Sequence, residues 1–308
     1  MDVREALLAA DHVVPHTDAD GLAAGALALR ARREGAGAAV LLGRGETPFG
    51  TDPPLPPGSV AVLDWGVWAL ARVGVLIDHH VPELADPGVP VLSGHGEEPE
   101  TSTAALVRRL LPDQPAWLAA VGAVGDLGDR GFALPETAGA PKTAVRKLVP
   151  LVNAPRRLPD GPVRTALALL VESEEPKAAL ADPRIAELEA ARAEWRTGFD
   201  AAVRNAPRVG DRVALIRFRS PYQVHPLVAT TWSRRLAPRA VIAANDDYLP
   251  GHVNFAVRGG GGSDLRALLR TALPDAAGEF AHGHAAATGG SLDPTAFARM
   301  LRALGLDG

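Results

Sequence analysis

The chain has 308 residues, 47% of them hydrophobic and 22% charged, with a mean hydropathy of +0.04. Those values exclude an intrinsically disordered chain and leave room for one large or two ordinary globular domains. Cysteine is absent, which excludes disulfides and thiolate metal sites and leaves histidine and carboxylate as the donors for any metal. The net charge of −4 argues against wholesale wrapping by nucleic acid. The charge is uneven, however: from Arg208 onward 12 Arg face 8 Asp plus Glu, a balance of +4, which leaves −8 for the residues before it. An acidic half joined to a mildly basic half suits a phosphate-bearing ligand gripped from the second side, although two solvated surfaces would give the same balance. No apolar run is long enough to span a membrane, and the amino terminus, Met1 to Glu5, lacks a signal-peptide pattern, so a cytoplasmic protein is expected.

Taken in chain order, Val13 and Val14 read as a strand that ends at His16, and the small, Leu-rich run Gly21 to Arg30 reads as a buried helix starting near Asp20. Ala39 to Leu42, Val60 to Asp64 and Val73 to Asp78 read as buried parallel strands. Thr101 to Leu111 and Pro115 to Gly125 read as helices. Asp182 and Pro183 open a long amphipathic helix in which Ile185, Leu188, Trp195, Phe199 and Val203 share one face. Beyond Pro207 the period changes to strands at Val213 to Phe218, Ala240 to Ala244 and His252 to Arg258, with helices at Asp264 to Leu273 and Pro294 to Leu304. Gly259 to Gly262 lacks the Lys-Ser/Thr of a P-loop and reads as a turn or hinge. The expected architecture is α/β: a parallel-sheet domain over 1–181, a connecting helix over 182–207, and a smaller α+β domain over 208–308.

Chemistry concentrates where these elements end. His16-Thr17-Asp18-Ala19-Asp20-Gly21 closes the first strand, and ligands in open α/β sheets bind at carboxyl strand ends. Taken alone, Asp18 or Asp20 is explained equally well as a helix N-cap. Asp64 ends a second strand, Asp78-His79-His80 ends a third, and Asp126 ends an apolar helix. Buried ends favour uncharged residues unless something pairs the charges, so this repetition points to bridged cations.

These segments resemble, in order, the four motifs of the DHH phosphoesterase superfamily, with Asp78-His79-His80 as the name-giving triplet and the Asp18-Ala19-Asp20-Gly21 segment similar to that of RecJ-like exonucleases. Gly251 to Arg258 and Gly283 to Gly289 resemble the DHH-associated domain, so the resemblance covers nearly the whole chain. It implies two Mn²⁺ ions, with Mg²⁺ as the alternative, held by Asp18, Asp20, Asp64, His79 and Asp126, with His16 completing one site and Asp64 lying between the ions. Asp64, His79, His80 and Asp78 would form the catalytic set, His80 touching phosphate and Asp78 orienting the neighbouring imidazoles. Arg258, His282, Gly283 and His284 would engage the substrate, in an active site between the two domains. The glycine run usual before the last histidine reads Ala281-His282-Gly283-His284 here, a departure at the substrate-facing loop.

The implied reaction is two-metal hydrolysis of nucleotide phosphodiesters, at an end of a short single-stranded oligonucleotide as in RecJ-like enzymes and nanoRNases. The alternative substrates are adenosine 3′,5′-bisphosphate and cyclic dinucleotides, and the non-enzymatic alternative is an inactive binding subunit, against which the complete ligand set argues. Aromatic residues make up 5% of the chain, poor support for an extended base-stacking platform, so short oligonucleotides rank above long single strands. Family II pyrophosphatases are a weaker match because their Lys and Arg motifs are not found. The oligomeric state is left open, a homodimer included.

Overall fold

The apolar runs at the amino-terminal end assemble as β1 (His12–Pro15), β2 (Val60–Leu63), β3 (Gly74–Asp78) and the short β4 (Val91–Ser93), paired in parallel in the order β1-β2-β3-β4. The structure, a computed structural model, describes residues 2–50, 52–276 and 280–306, the side chains of 282–284 excepted. Two compact units divide the chain: Met1–Arg156 with Asp160–Arg192, and Arg157–Pro159 with Ala193–Gly308.

In the first unit, helices α1 (Val3–Ala9), α2 (Ala19–Arg32), α3 (Thr103–Leu110) and α4 (Ala116–Leu127) are followed by α5 (Lys142–Val152), α6 (Val163–Glu172) and α7 (Pro176–Ala181). Val13, Ala61, Leu63, Val75 and Ile77 face the helices, and α2 lies in the middle of that layer, buried from Ala19 to Leu29. Its all-round small and apolar sequence explains this position, since no polar stripe is left for solvent. Each fully buried leucine, such as Leu22 or Leu27, contributes about 1.5–3 kcal/mol. The opposite face of the sheet, Val14, Val60, Val62 and Leu76, is covered by Leu42, Val67 and Leu70 from irregular segments. Both faces are therefore buried, as the continuous apolar strands require.

Two segments fold differently from what their residue pattern suggests. Ala39 to Leu42 is not a strand: Val13 and Ala39 share a single bridge, and Arg164 takes the carbonyls of Ala36 and Ala39. The glycines at 43 and 45 follow at once, and glycine weakens a strand. Conversely, β4 is a strand without a pattern, because three residues between Pro90 and Gly94 carry no period.

Helix α8 (Ile185–Ala202) contains the point where the chain passes from one unit to the other. Leu188 belongs to the first unit's core, whereas Trp195 and Phe199 pack on the core of the second. The second unit is built on a mixed sheet of β5 (Arg208–Val209), β6 (Val213–Phe218), β7 (Ala240–Asn245), β8 (Val253–Gly259), β9 (Phe280–His284) and β10 (Ala287–Leu292), in the order β5-β6-β7-β8-β10-β9. Only β6 and β7 pair in parallel. Helix α9 (His225–Arg235) packs on one face, where Val224, Val228 and Ala229 join the core, and α10 (Leu265–Ala272) and α11 (Pro294–Ala303) pack on the other. The histidine segment expected as a loop is instead the β9–β10 hairpin, which its glycine-rich composition concealed. Among the described residues, no helix is long and apolar enough to cross a membrane.

Candidate metal centre

The first unit gathers its charged groups around the carboxyl ends of β1, β2 and β3. Beyond β1, the His16 N–H donates to Leu63 O at 2.9 Å and so continues the ladder by one residue. Asp18 then caps α2, its Oδ1 accepting from the Gly21 N–H at 3.0 Å. Its second oxygen, Oδ2, lies 2.9 Å from His16 Nδ1 and 3.2 Å from Arg156 Nη1. The N-cap reading of Asp18 is thus realised through Oδ1, while Oδ2 faces His16 and Arg156. Gly21 has no alternative, because a Cβ there would lie 2.3 Å from His16 O.

Asp20 sits in the first turn of α2 with no solvent exposure. Its Oδ2 accepts from Thr103 N at 2.7 Å and its Oδ1 from Ala104 N at 2.9 Å, so the start of α3 supplies two otherwise unpaired donors. Gly122 of α4 packs against this carboxylate, where a Cβ would come within 2.3 Å of Asp20 Oδ1. Asp64, just past β2, is buried and takes a left-handed φ of 69°, unusual for a residue other than glycine. The Thr103 hydroxyl donates to its Oδ1 at 2.9 Å, and its own N–H donates to Ile77 O at 3.0 Å. Such outliers persist only where surrounding structure enforces them.

At the end of β3 the DHH triplet divides its tasks. Asp78 Oδ2 accepts from the Gly66 N–H at 2.7 Å and approaches His80 Nδ1 at 3.2 Å, and its Oδ1 accepts from the His80 N–H at 2.7 Å. Buried His79 points its Nε2 at Asp126 Oδ2 (3.1 Å), Asp64 Oδ1 (3.6 Å) and Asp20 Oδ2 (3.9 Å). Asp126, in the last turn of α4, is the exposed member of the group. His80 is half-buried, its Nδ1 3.9 Å from Asp64 Oδ1.

Ligand atoms therefore converge in overlapping groups: Asp20, Asp64, His79 and Asp126; His16, Asp18 and Asp64; and Asp64, His79 and His80, each set within 4.8 Å. Asp64 is common to all three. Burial, followed by the charges of Asp20, Asp18 and Asp126, holds the Asp64 carboxyl well above the usual range, and burial with the charge of Asp126 raises Asp20 to about 7. Burial opposes charge on His79, but the hydrogen bond to Asp126 and the charge of Asp20 outweigh it and raise the imidazole to about 9. Burial works against the Asp18 carboxylate as well, yet His16 and Arg156 hold it well below the usual range. A cluster that takes up protons to relieve carboxylate repulsion is one that a divalent cation would relieve better. Its oxygen and imidazole donors suit Mn²⁺ or Mg²⁺, so the residues fit the ions.

Sequence reasoning missed Thr103, Asn153 and Arg156. Thr103 ties Asp20 to Asp64, and Asn153 Oδ1 accepts from the Ala19 N–H at 2.9 Å. None of the three lies at a strand end, and only the fold brings them to the cluster.

In the second unit Arg258, near the end of β8, donates from Nη1 to Val257 O at 2.9 Å and Thr288 O at 3.1 Å. Burial pulls its pKa below the ordinary value, and no carboxylate pairs with it among the described residues. Across the sheet, Ala287 is the register partner of both Arg258 on β8 and His284 on β9, while Gly283 and His282 face Thr288 and Gly289. The side chains at 282–284 lie outside the described residues. Ala281 takes a left-handed φ of 56°.

No protein-family model matches the chain, and no curated protein sequence does. Solved structures do. RecJ from Thermus thermophilus in complex with Mn²⁺ is 21% identical at a TM-score of 0.69, with 98% of this chain covered and 54% of that one. An exonuclease RecJ bound to manganese, also 21% identical, gives 0.61 with 99% and 94% covered. The pGpG-specific phosphodiesterase PggH from Vibrio cholerae is 14% identical at 0.52, with 96% and 99% covered. The chain spans about half the length of the Thermus RecJ chain. The fold is thus the RecJ-like DHH fold, a parallel four-stranded sheet followed by a second, mixed sheet.

Proposed function

We propose that this chain is a DHH-type phosphoesterase that hydrolyses nucleotide phosphodiesters with two divalent ions, Mn²⁺ first among them, acting on an end of short single-stranded oligonucleotides. The observation that carries this reading is the sharing of Asp64 by two ligand groups that otherwise use different residues. Asp20, Asp64, His79 and Asp126 would hold one ion, and His16, Asp18 and Asp64 the other. Ions so held supply Lewis acidity and an acidified water for in-line displacement at phosphorus.

The chain's own groups do the rest. Thr103 and the start of α3 hold Asp20 and Asp64 in place before anything binds. Asp78 fixes the His80 ring through Nδ1 and favours its protonated form, whose Nε2–H would donate to a phosphate oxygen. Arg258, a half-buried guanidinium without a carboxylate partner among the described residues, takes a phosphate of the substrate, with His282, Gly283 and His284 as further contacts.

The test is purified protein with Mn²⁺ against end-labelled RNA and DNA of two to twenty nucleotides, with adenosine 3′,5′-bisphosphate and cyclic dinucleotides alongside. Release of mononucleotides from the short oligonucleotides supports the reading. Turnover confined to the bisphosphate or the cyclic dinucleotides would replace the substrate class, and no turnover of any of them would leave a binding subunit.

A further inference from the structure

Two consecutive arginines follow helix α5, and they go to different places. Arg157 belongs to the second unit, where its Nη1 donates to Gln223 O at 3.0 Å. Arg156 belongs to the first unit and reaches the candidate metal centre. Its Nη1 is 3.2 Å from Asp18 Oδ2, and its Nη2 is 3.5 Å from His16 Nε2. Only one of the two four- and three-residue ligand groups is touched in this way: among the described residues, no arginine or lysine bonds Asp20, Asp64 or Asp126.

The contacts have opposite consequences for the two groups. Asp20, Asp64, Asp126 and His79 offer three carboxylates to an ion with no fixed cation bonded to them. His16, Asp18 and Asp64 offer two, and Asp18 Oδ2 is already engaged by a guanidinium, its Oδ1 being committed to the Gly21 N–H. The imidazole adds a second conflict. His16 Nδ1 faces both Asp18 Oδ2 at 2.9 Å and Asp64 Oδ2 at 3.7 Å, so Nδ1 is the nitrogen an ion shared with these carboxylates would use. A neutral imidazole that gives its Nδ1 lone pair to an ion carries its proton on Nε2, and Nε2–H cannot accept from Arg156. The Arg156 contact to His16 and an ion on Nδ1 therefore exclude one another.

We propose that Arg156 is a positioning residue that makes the two ion positions unequal: it holds His16 and Asp18 together while the position is empty, and it must release His16 when an ion takes Nδ1. The His16–Asp18–Asp64 position is then the weaker and more exchangeable of the two. Once displaced, the guanidinium is free to meet a phosphate oxygen, the anion whose shape it matches. This rests on the two-ion reading of the preceding subsection.

The experiment is titration of the metal-free full chain with Mn²⁺, followed by calorimetry and by the electron paramagnetic resonance of unbound Mn²⁺, for wild type, R156Q and R156K. Wild type should show a tight and a weak class. Arg156→Gln should tighten the weak class by about tenfold or more while moving the tight class less than about threefold, because removing one fixed charge acts at short range. The same variant should melt at a lower temperature than wild type without metal, because Asp18 loses its guanidinium partner. Arg156→Lys, which keeps the charge but not the fork, should leave the weak class close to wild type. Two classes with the weak one unchanged or loosened in Arg156→Gln would overturn the inference while sparing the two-ion reading. One ion or none in wild type overturns the two-ion reading and this inference with it.

Discussion

The two units differ in how their charged groups are balanced. In the first, five aspartates (Asp18, Asp20, Asp64, Asp78, Asp126) and three histidines converge around the ends of three parallel strands, and burial with mutual repulsion raises the carboxyls of Asp20 and Asp64. In the second, one half-buried guanidinium, Arg258, lies near the end of an antiparallel strand with backbone carbonyls for company and no carboxylate partner among the described residues. The first region is rigidly over-determined: Asp20, Asp64 and Asp78 each accept from donors in other segments. The second is held mainly by strand pairing. In the proposed reading, chemistry belongs to the first unit and substrate recognition to the second.

Substitutions can break this contrast, the largest effect first. Asp64→Asn keeps an acceptor for the Thr103 hydroxyl but removes the carboxylate common to the ligand groups. Under saturating Mn²⁺ it should lower turnover by about a thousandfold or more. Without metal it should raise the melting temperature by at least about 2 °C, since a buried, repelled carboxylate is gone. A variant that turns over normally would sink the shared-ligand assignment. Arg258→Ala should instead raise KM by about 10–100-fold and leave Mn²⁺ binding as in wild type, the loss of a charge-assisted hydrogen bond to substrate. Loss of metal in that variant would erase the division of labour between the units.

Two smaller changes sharpen the contrast in rigidity. Gly122→Ala forces a methyl against Asp20 Oδ1 and the Ala104 Cβ, 2.3 Å and 2.4 Å from the new atom. It should destabilise the first unit by about 1–3 kcal/mol in urea titration and weaken Mn²⁺ binding with it. Ala281→Gly relieves a left-handed φ at a cost in chain entropy, and should change stability by no more than about 1 kcal/mol in either direction. A loss of several kcal/mol there would show that β9 is as tightly determined as the metal centre.

Much of this was legible in the chain itself. Val60 to Asp64 and Val73 to Asp78 read as buried strands because a short, unbroken apolar run closed by a lone carboxylate suits a strand covered on both faces with its end at a ligand site. Helix α2 was legible because its composition leaves no wet face. Ala39 to Leu42 misled, since an apolar run of that length is a strand only where a neighbouring edge accepts more than one of its residues. The β9–β10 hairpin was hidden because glycine and alanine carry no strand signal, and its order comes from pairing with β8.

What the sequence by itself determined is the set of donors: the aspartates and histidines at element ends, and the absence of thiols, which leaves hard or borderline cations as the ones these donors suit. What only the tertiary structure decided is which of those donors share an atom's worth of space, and which silent neighbours join them. Thr103, Asn153 and Arg156 carry no motif, lie 39, 89 and 92 residues from Asp64 along the chain, and act only because parallel strands and their covering helices bring distant backbone ends to one place. Local sequence specifies the chemical type of a group, but the distance between charges, on which their energies depend, is a property of the folded chain.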